Sequence, residues 1–169
     1  ASLLCVGLDS DLTQIPISFQ QDSLPQFAFN RWVIDQTHPF TAAYKLNSAF
    51  YEARGEQGWH ELRLSVEYLR QNYPDVLTIC ADIGSTNDAY ATAVFDELGF
   101  DAITLHPYLG REALKPFISR VDKGSIILCR TSNPGAGELQ DLQVDGKPLW
   151  QIVAEKVSRD WNSNNNCML

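Results

Sequence analysis

Cys5-Val6-Gly7-Leu8-Asp9 is a short apolar run that ends on a carboxylate, and four later runs repeat its design. They are Ala43-Tyr44-Lys45-Leu46-Asn47, Ile79-Cys80-Ala81-Asp82, Thr104-Leu105-His106-Pro107-Tyr108 and Leu128-Cys129-Arg130-Thr131-Ser132-Asn133. Parallel barrel strands are covered on both faces and read as unbroken apolar segments, while the residues just past their C-terminal ends line one shared mouth. Each polar terminus is therefore a candidate for chemistry. Between the runs lie segments of helical period: Leu24 to Thr37; Trp59, Leu62, Val66, Leu69 and Tyr73; and Thr86 to Leu98, with Ala91, Val94, Phe95 and Leu98 inward. Two more are Leu114, Phe117, Ile118 and Val121, then Leu149, Val153, Val157 and Trp161. Strand and helix alternate throughout, which predicts an α/β chain of the (β/α)8 TIM-barrel class with five strand–helix units and a sixth strand opening at Cys167-Met168-Leu169.

The chain has 169 residues, whereas such a barrel takes about 250. The expectation is a single barrel domain over residues 1–169, incomplete at both ends. Hydrophobic residues make up 44% of the chain, enough for a real core, and no stretch approaches the eighteen or so apolar residues of a membrane span. A formal charge of -8 argues against nucleic-acid binding through a basic surface. Cys5, Cys80, Cys129 and Cys167 lie in apolar runs with no CxxC pair, which reads as buried free thiols in a reducing cytoplasm. His38, His60 and His106 have no spacing that suggests a metal.

Taken alone, the candidate residues leave alternatives open. Lys45 closes an apolar run where a charge is costly unless paired or functional, but a lysine there can also snorkel to the surface. Asp9 can be a site carboxylate or a turn residue of Asp9-Ser10-Asp11, and Asp82 can open the following helix. Ser132 can sit in a serine turn.

The ordered runs CVGLDSDL, AAYKLNSAFYE, ADIGSTNDAYA, DAITLHPYLG and LCRTSNPG resemble orotidine 5'-phosphate decarboxylase, in particular its longer bacterial branch. The resemblance covers Ser2 to Leu169. It implies a catalytic Lys45 and Asp82, with Asp9, Thr86 and Ser132 contacting substrate: Asp9 at the ribose, Ser132 at the pyrimidine, and Asp82 and Thr86 reaching the neighbouring subunit's site. It also implies a cytoplasmic homodimer with shared active sites, a small-molecule nucleotide substrate, and neither metal nor organic cofactor. The implied reaction converts orotidine 5'-phosphate to uridine 5'-phosphate in de novo pyrimidine synthesis.

One departure stands out. Family members carry Asp-x-Lys-x-x-Asp at the end of the third strand, and Cys80-Ala81-Asp82 has only the last Asp. Four residues inserted between Cys80 and Ala81 would restore the pattern, so a break in the printed chain is expected there. The absent Lys is the family's proton donor. Two alternatives follow, a non-catalytic nucleotide-binding homologue and a Mg-dependent sugar-phosphate decarboxylase of the same barrel suite, although the TSNPG and HPYLG motifs resemble the orotidylate branch better.

Overall fold

The computed structural model describes residues 2–81 and 87–169, with Ala81 described by its backbone. Among these, residues 2–81 and 93–101 form one compact unit, and residues 87–92 and 102–169 form a second.

The first unit runs β1 (Leu4–Gly7), α1 (Ile17–Gln20), α2 (Pro25–Thr37), β2 (Thr41–Asn47), α3 (Ala49–Glu52), α4 (Gly55–Asn72) and β3 (Leu77–Ala81). Strand β2 pairs in parallel with both neighbours, in the registers Gly7↔Lys45 and Lys45↔Ile79. Alternation along β2 turns Tyr44 and Leu46 to one face, where both are fully buried, and Ala43, Lys45 and Asn47 to the other. Tyr44 and Leu46 share the core with Ile34, Leu62, Val66 and Leu69. Trp59, expected in the α4 stripe, is 41% exposed. At 100° per residue the buried stripe centres on Gly58, Leu62, Ser65 and Leu69, which leaves Trp59 about a quarter-turn outside it. Tyr73 lies one residue beyond the helix and stacks on His38, with ring centroids 4.2 Å apart. Strand β3 continues the pairing with β2 in the register Leu46↔Cys80 and Asn47↔Ala81.

The second unit runs α5 (Asn87–Ala91), β4 (Ala102–Leu105), α6 (Arg111–Ile118), β5 (Gly124–Ile127), α7 (Gly137–Gln140), β6 (Gln143–Val144), β7 (Lys147–Pro148), α8 (Leu149–Lys156) and β8 (Cys167–Met168). The registers β4–β5 (Leu105↔Ile127) and β5–β8 (Ile126↔Met168) are parallel, and β8 is the sixth main strand expected from Cys167-Met168. The segment Thr92–Glu97 continues from α5 with π-helical turns and from residue 93 belongs to the first unit; Ala91 in the second unit and Val94 and Phe95 in the first are buried as expected. Val121, expected inward, is 70% exposed. Helix α6 stops at Ile118, where the Asn164 and Asn166 side-chain amides donate to the Ile118 carbonyl, so Val121 falls in the turn beyond. The cysteines also differ from expectation. All four are free thiols, but Cys80 alone is buried; Cys129 and Cys167 are half-buried, and Cys5 is exposed because β1 has a strand partner on one side only.

Candidate active site

Asp9 and Lys45 meet at the C-terminal ends of β1 and β2. The β1–β2 ladder extends one residue past Gly7 through the Leu8 N–H, which donates to the Lys45 carbonyl at 2.8 Å. Leu8 is buried, and the next residue, Asp9, receives two donors: Lys45 Nζ at 2.9 Å on Oδ2 and the Asn47 N–H at 3.0 Å on Oδ1. Both side chains of the ion pair stay about one-third exposed, at 35% and 34%. Asp9 is thus no turn carboxylate; Asp11 has that role, accepting from the Thr13 N–H at 2.8 Å, which holds its carboxyl below the ordinary range.

A buried polar network that sequence reasoning missed carries this pair. The Tyr51 hydroxyl donates to the Leu8 carbonyl at 2.7 Å, directly before Asp9, and accepts from Asn30 Nδ2 at 2.7 Å. Asn30 Nδ2 also donates to Ser65 Oγ at 2.9 Å, and Asn30 Oδ1 takes the Ser10 hydroxyl. Gln26 Nε2 donates to the Ser10 carbonyl at 2.7 Å. Burial pushes the Tyr51 hydroxyl well above its ordinary pKa, so it remains a protonated donor. Asn30, Gln26 and Ser65 occupy buried faces of α2 and α4. A polar side chain in an apolar stripe was the available signal, because buried polar groups are kept when each finds its partner.

In the second unit, His106 follows β4, and Leu128 to Asn133 follow β5 at the matching end. The loop residue Ser132 is exposed. Thr131 is tied to Gln140, with its N–H donating to Gln140 Oε1 at 2.9 Å and its Oγ1 accepting from Gln140 Nε2 at 2.8 Å. Arg130 pairs with Asp141 at 3.1 Å, which occupies the guanidinium locally. Beside the loop lies a largely apolar cavity of about 600 Å³, lined by His106, Tyr108, Cys129, Leu139, Trp150 and Val153, among others. Cys129 Sγ donates to the Trp150 carbonyl at 2.9 Å, and burial raises its thiol pKa. Asp82 and Thr86 lie outside the described residues. Among the described residues no group of three or more His, Cys, Asp or Glu is placed to hold a metal ion, and no helix is long and apolar enough to cross a membrane.

Residues 2–164 match the family described as Orotidine 5'-phosphate decarboxylase / HUMPS family. The chain belongs to that family. Among relatives, the orotidine 5'-phosphate decarboxylase of Herpetosiphon aurantiacus is 48% identical over 99% of this chain and 64% of its own length. That of Christiangramia forsetii is 45% identical over 99% of this chain and 62% of its own length. The solved structure of Leishmania donovani OMP decarboxylase superposes with a TM-score of 0.85 at 38% identity, covering 98% of this chain and 64% of that one. This likeness bears out the barrel class expected from the sequence, present in part. The chain spans just under two thirds of the length of these decarboxylase relatives.

Proposed function

We propose that this chain carries the first part of the catalytic barrel of an orotidine 5'-phosphate decarboxylase, which releases carbon dioxide from orotidine 5'-phosphate to give uridine 5'-phosphate. The observation that carries the reading is the Lys45–Asp9 pair at the C-terminal ends of adjacent parallel strands, in a chain of this family. Loss of carbon dioxide from the pyrimidine leaves negative charge on carbon with no adjacent electron sink. An ammonium group held in place before the reaction acts strongly on charge that develops only in the transition state. The Asp9 carboxylate orients Lys45 and in this reading accepts a hydrogen bond from a ribose hydroxyl. Ser132 contacts the pyrimidine, and Asp82 and Thr86 act in a neighbouring subunit's site, which makes the working protein a cytoplasmic homodimer. Binding energy from the remote phosphate and ribose is then available at the reacting end.

A second reading takes the Cys80-Ala81-Asp82 junction literally. That junction lacks the family's first Asp and second Lys. Without that Lys as proton donor, the chain is a nucleotide-binding homologue that does not turn over.

Turnover of orotidine 5'-phosphate by the full-length protein, with and without EDTA, separates the readings. Release of carbon dioxide that EDTA leaves unchanged supports the decarboxylase. EDTA-sensitive release of carbon dioxide from a β-keto sugar-acid phosphate, with none from orotidine 5'-phosphate, points to the Mg-dependent sugar-phosphate branch, and nucleotide binding without turnover of either to the non-catalytic homologue. The shared site has its own test: Lys45→Ala and Asp82→Ala should each abolish turnover, while a re-equilibrated mixture should recover about one quarter of wild-type activity, because half the dimers are mixed and each holds one intact site. A mixture that stays inactive after verified subunit exchange refutes the action of Asp82 across the interface.

A further inference from the structure

We propose that Gln140 is a positioning residue for Ser132: its carboxamide grips Thr131 at backbone and side chain and so sets the loop that presents Ser132 to a pyrimidine nucleotide. The inference rests on Ser132 being a substrate contact. The direction of the grip follows from its donors. The Thr131 N–H and the Arg130 guanidinium can only donate, and both point at Gln140 Oε1, at 2.9 and 3.3 Å. The amide's NH2 end must then face Thr131 Oγ1, which it reaches at 2.8 Å. The Thr131 hydroxyl proton is left to donate to Asn133 Oδ1 at 2.6 Å. A one-way chain of hydrogen bonds therefore runs from Gln140 through Thr131 to Asn133 and ties both neighbours of Ser132, while Ser132 stays exposed.

The rest of the loop is closed around this grip. Arg130 Nη1 donates to the Thr131 carbonyl at 2.9 Å, and its other terminal nitrogen holds Asp141, the residue after Gln140. The 3-10 turn Pro134–Ala136 sets Ala136 into the interior at 6% exposure and leads into α7, which ends at Gln140. A loop ordered before ligand arrives spends less binding free energy on ordering afterwards, so loss of the grip should appear as lost affinity for the part of the ligand that Ser132 meets.

The test uses the full-length protein and two ligands, uridine 5'-phosphate and ribose 5-phosphate, the second lacking the pyrimidine. Gln140→Met should weaken uridine 5'-phosphate about tenfold, as expected when both hydrogen bonds to Thr131 are lost, and leave ribose 5-phosphate unchanged. Thr131→Val, which removes the middle of the chain, should do the same and serves if Gln140→Met melts below the assay temperature. In a Ser132→Ala background Gln140→Met should add no further loss, because the two act through one contact. Equal weakening of both ligands, full additivity with Ser132→Ala, or no weakening overturns the proposal while leaving the substrate reading intact. A wild-type protein that binds uridine 5'-phosphate no better than ribose 5-phosphate overturns the substrate reading, and the proposal with it.

Discussion

Asp9 and Lys45 differ in kind from the buried residues beneath them. Their pair is one-third exposed, and such a pair contributes at most about 1 kcal/mol to stability. Asp9→Asn should therefore shift urea unfolding by less than about 1 kcal/mol while lowering turnover at least a hundredfold, because it releases the ammonium group from its set position. A large loss of stability, or unchanged turnover, would contradict that assignment. Both residues were legible because a charge at the end of an apolar run is conspicuous. Tyr51, Asn30 and Gln26 were not, because a polar residue on a helix reads as surface until the partner that satisfies it is known. Cys129 yields a second expectation at this scale. Burial raises its thiol pKa, so at pH 8 it holds less thiolate than an ordinary thiol of pKa about 8.5. Iodoacetamide labelling followed by mass spectrometry should find it slower than glutathione at pH 8, with its rate still climbing above pH 9. Labelling as fast as glutathione at pH 8 would rule this out.

Between elements, a buried carboxylate joins α4 to the start of α2. Helix α2 has no side-chain cap of its own; instead Glu61 of α4, fully buried, accepts from the Phe27 N–H at 2.9 Å and from the Arg54 guanidinium. Glu61→Ala leaves a helix-end donor without its acceptor and a largely buried guanidinium with the neutral Gln26 Oε1, at 2.6 Å, in place of a carboxylate, and should cost about 3–5 kcal/mol in chemical denaturation. A cost below about 1 kcal/mol would show that solvent replaces the carboxylate. Gly58 makes the same region close-packed: a Cβ there would stand 1.8 Å from the Tyr51 carbonyl oxygen, so α3 and α4 touch at a glycine. Gly58→Ala should destabilise by about 3 kcal/mol or more through backbone displacement, against the small gain that alanine gives an open helix site. The main strands and the centres of the long helices were legible from apolar runs and 3.6-residue periodicity. Helix ends were less so, since Val121 continues the α6 stripe in sequence after the helix itself has stopped. The β6–β7 hairpin was missed although Asp145-Gly146, both at positive φ, is a turn signal that pairs even two-residue strands.

For the chain as a whole, apolar surface and net charge oppose each other. Leu3 and Leu4 are 99% and 49% exposed at β1, and Met168 and Leu169 are 50% and 57% exposed at β8. Strand edges that carry exposed apolar side chains are templates for pairing with another molecule. Against this stands the formal charge of -8, which makes two copies repel over a distance set by the salt. At 0.1 M salt the repulsion reaches about 10 Å and acts before the edges touch; at 1 M it reaches about 3 Å, no farther than the contact itself. The 169-residue chain on its own should therefore associate more as salt rises, the reverse of an assembly held by ion pairs. Light scattering at micromolar concentration should show the apparent mass increasing between 0.1 and 1 M sodium chloride, and Leu4→Lys should reduce the increase by placing charge on the β1 edge. A mass that falls with salt would show that charge pairing, not the apolar edge, joins the copies, and a monomer at both concentrations would show that these edges are too short to template association.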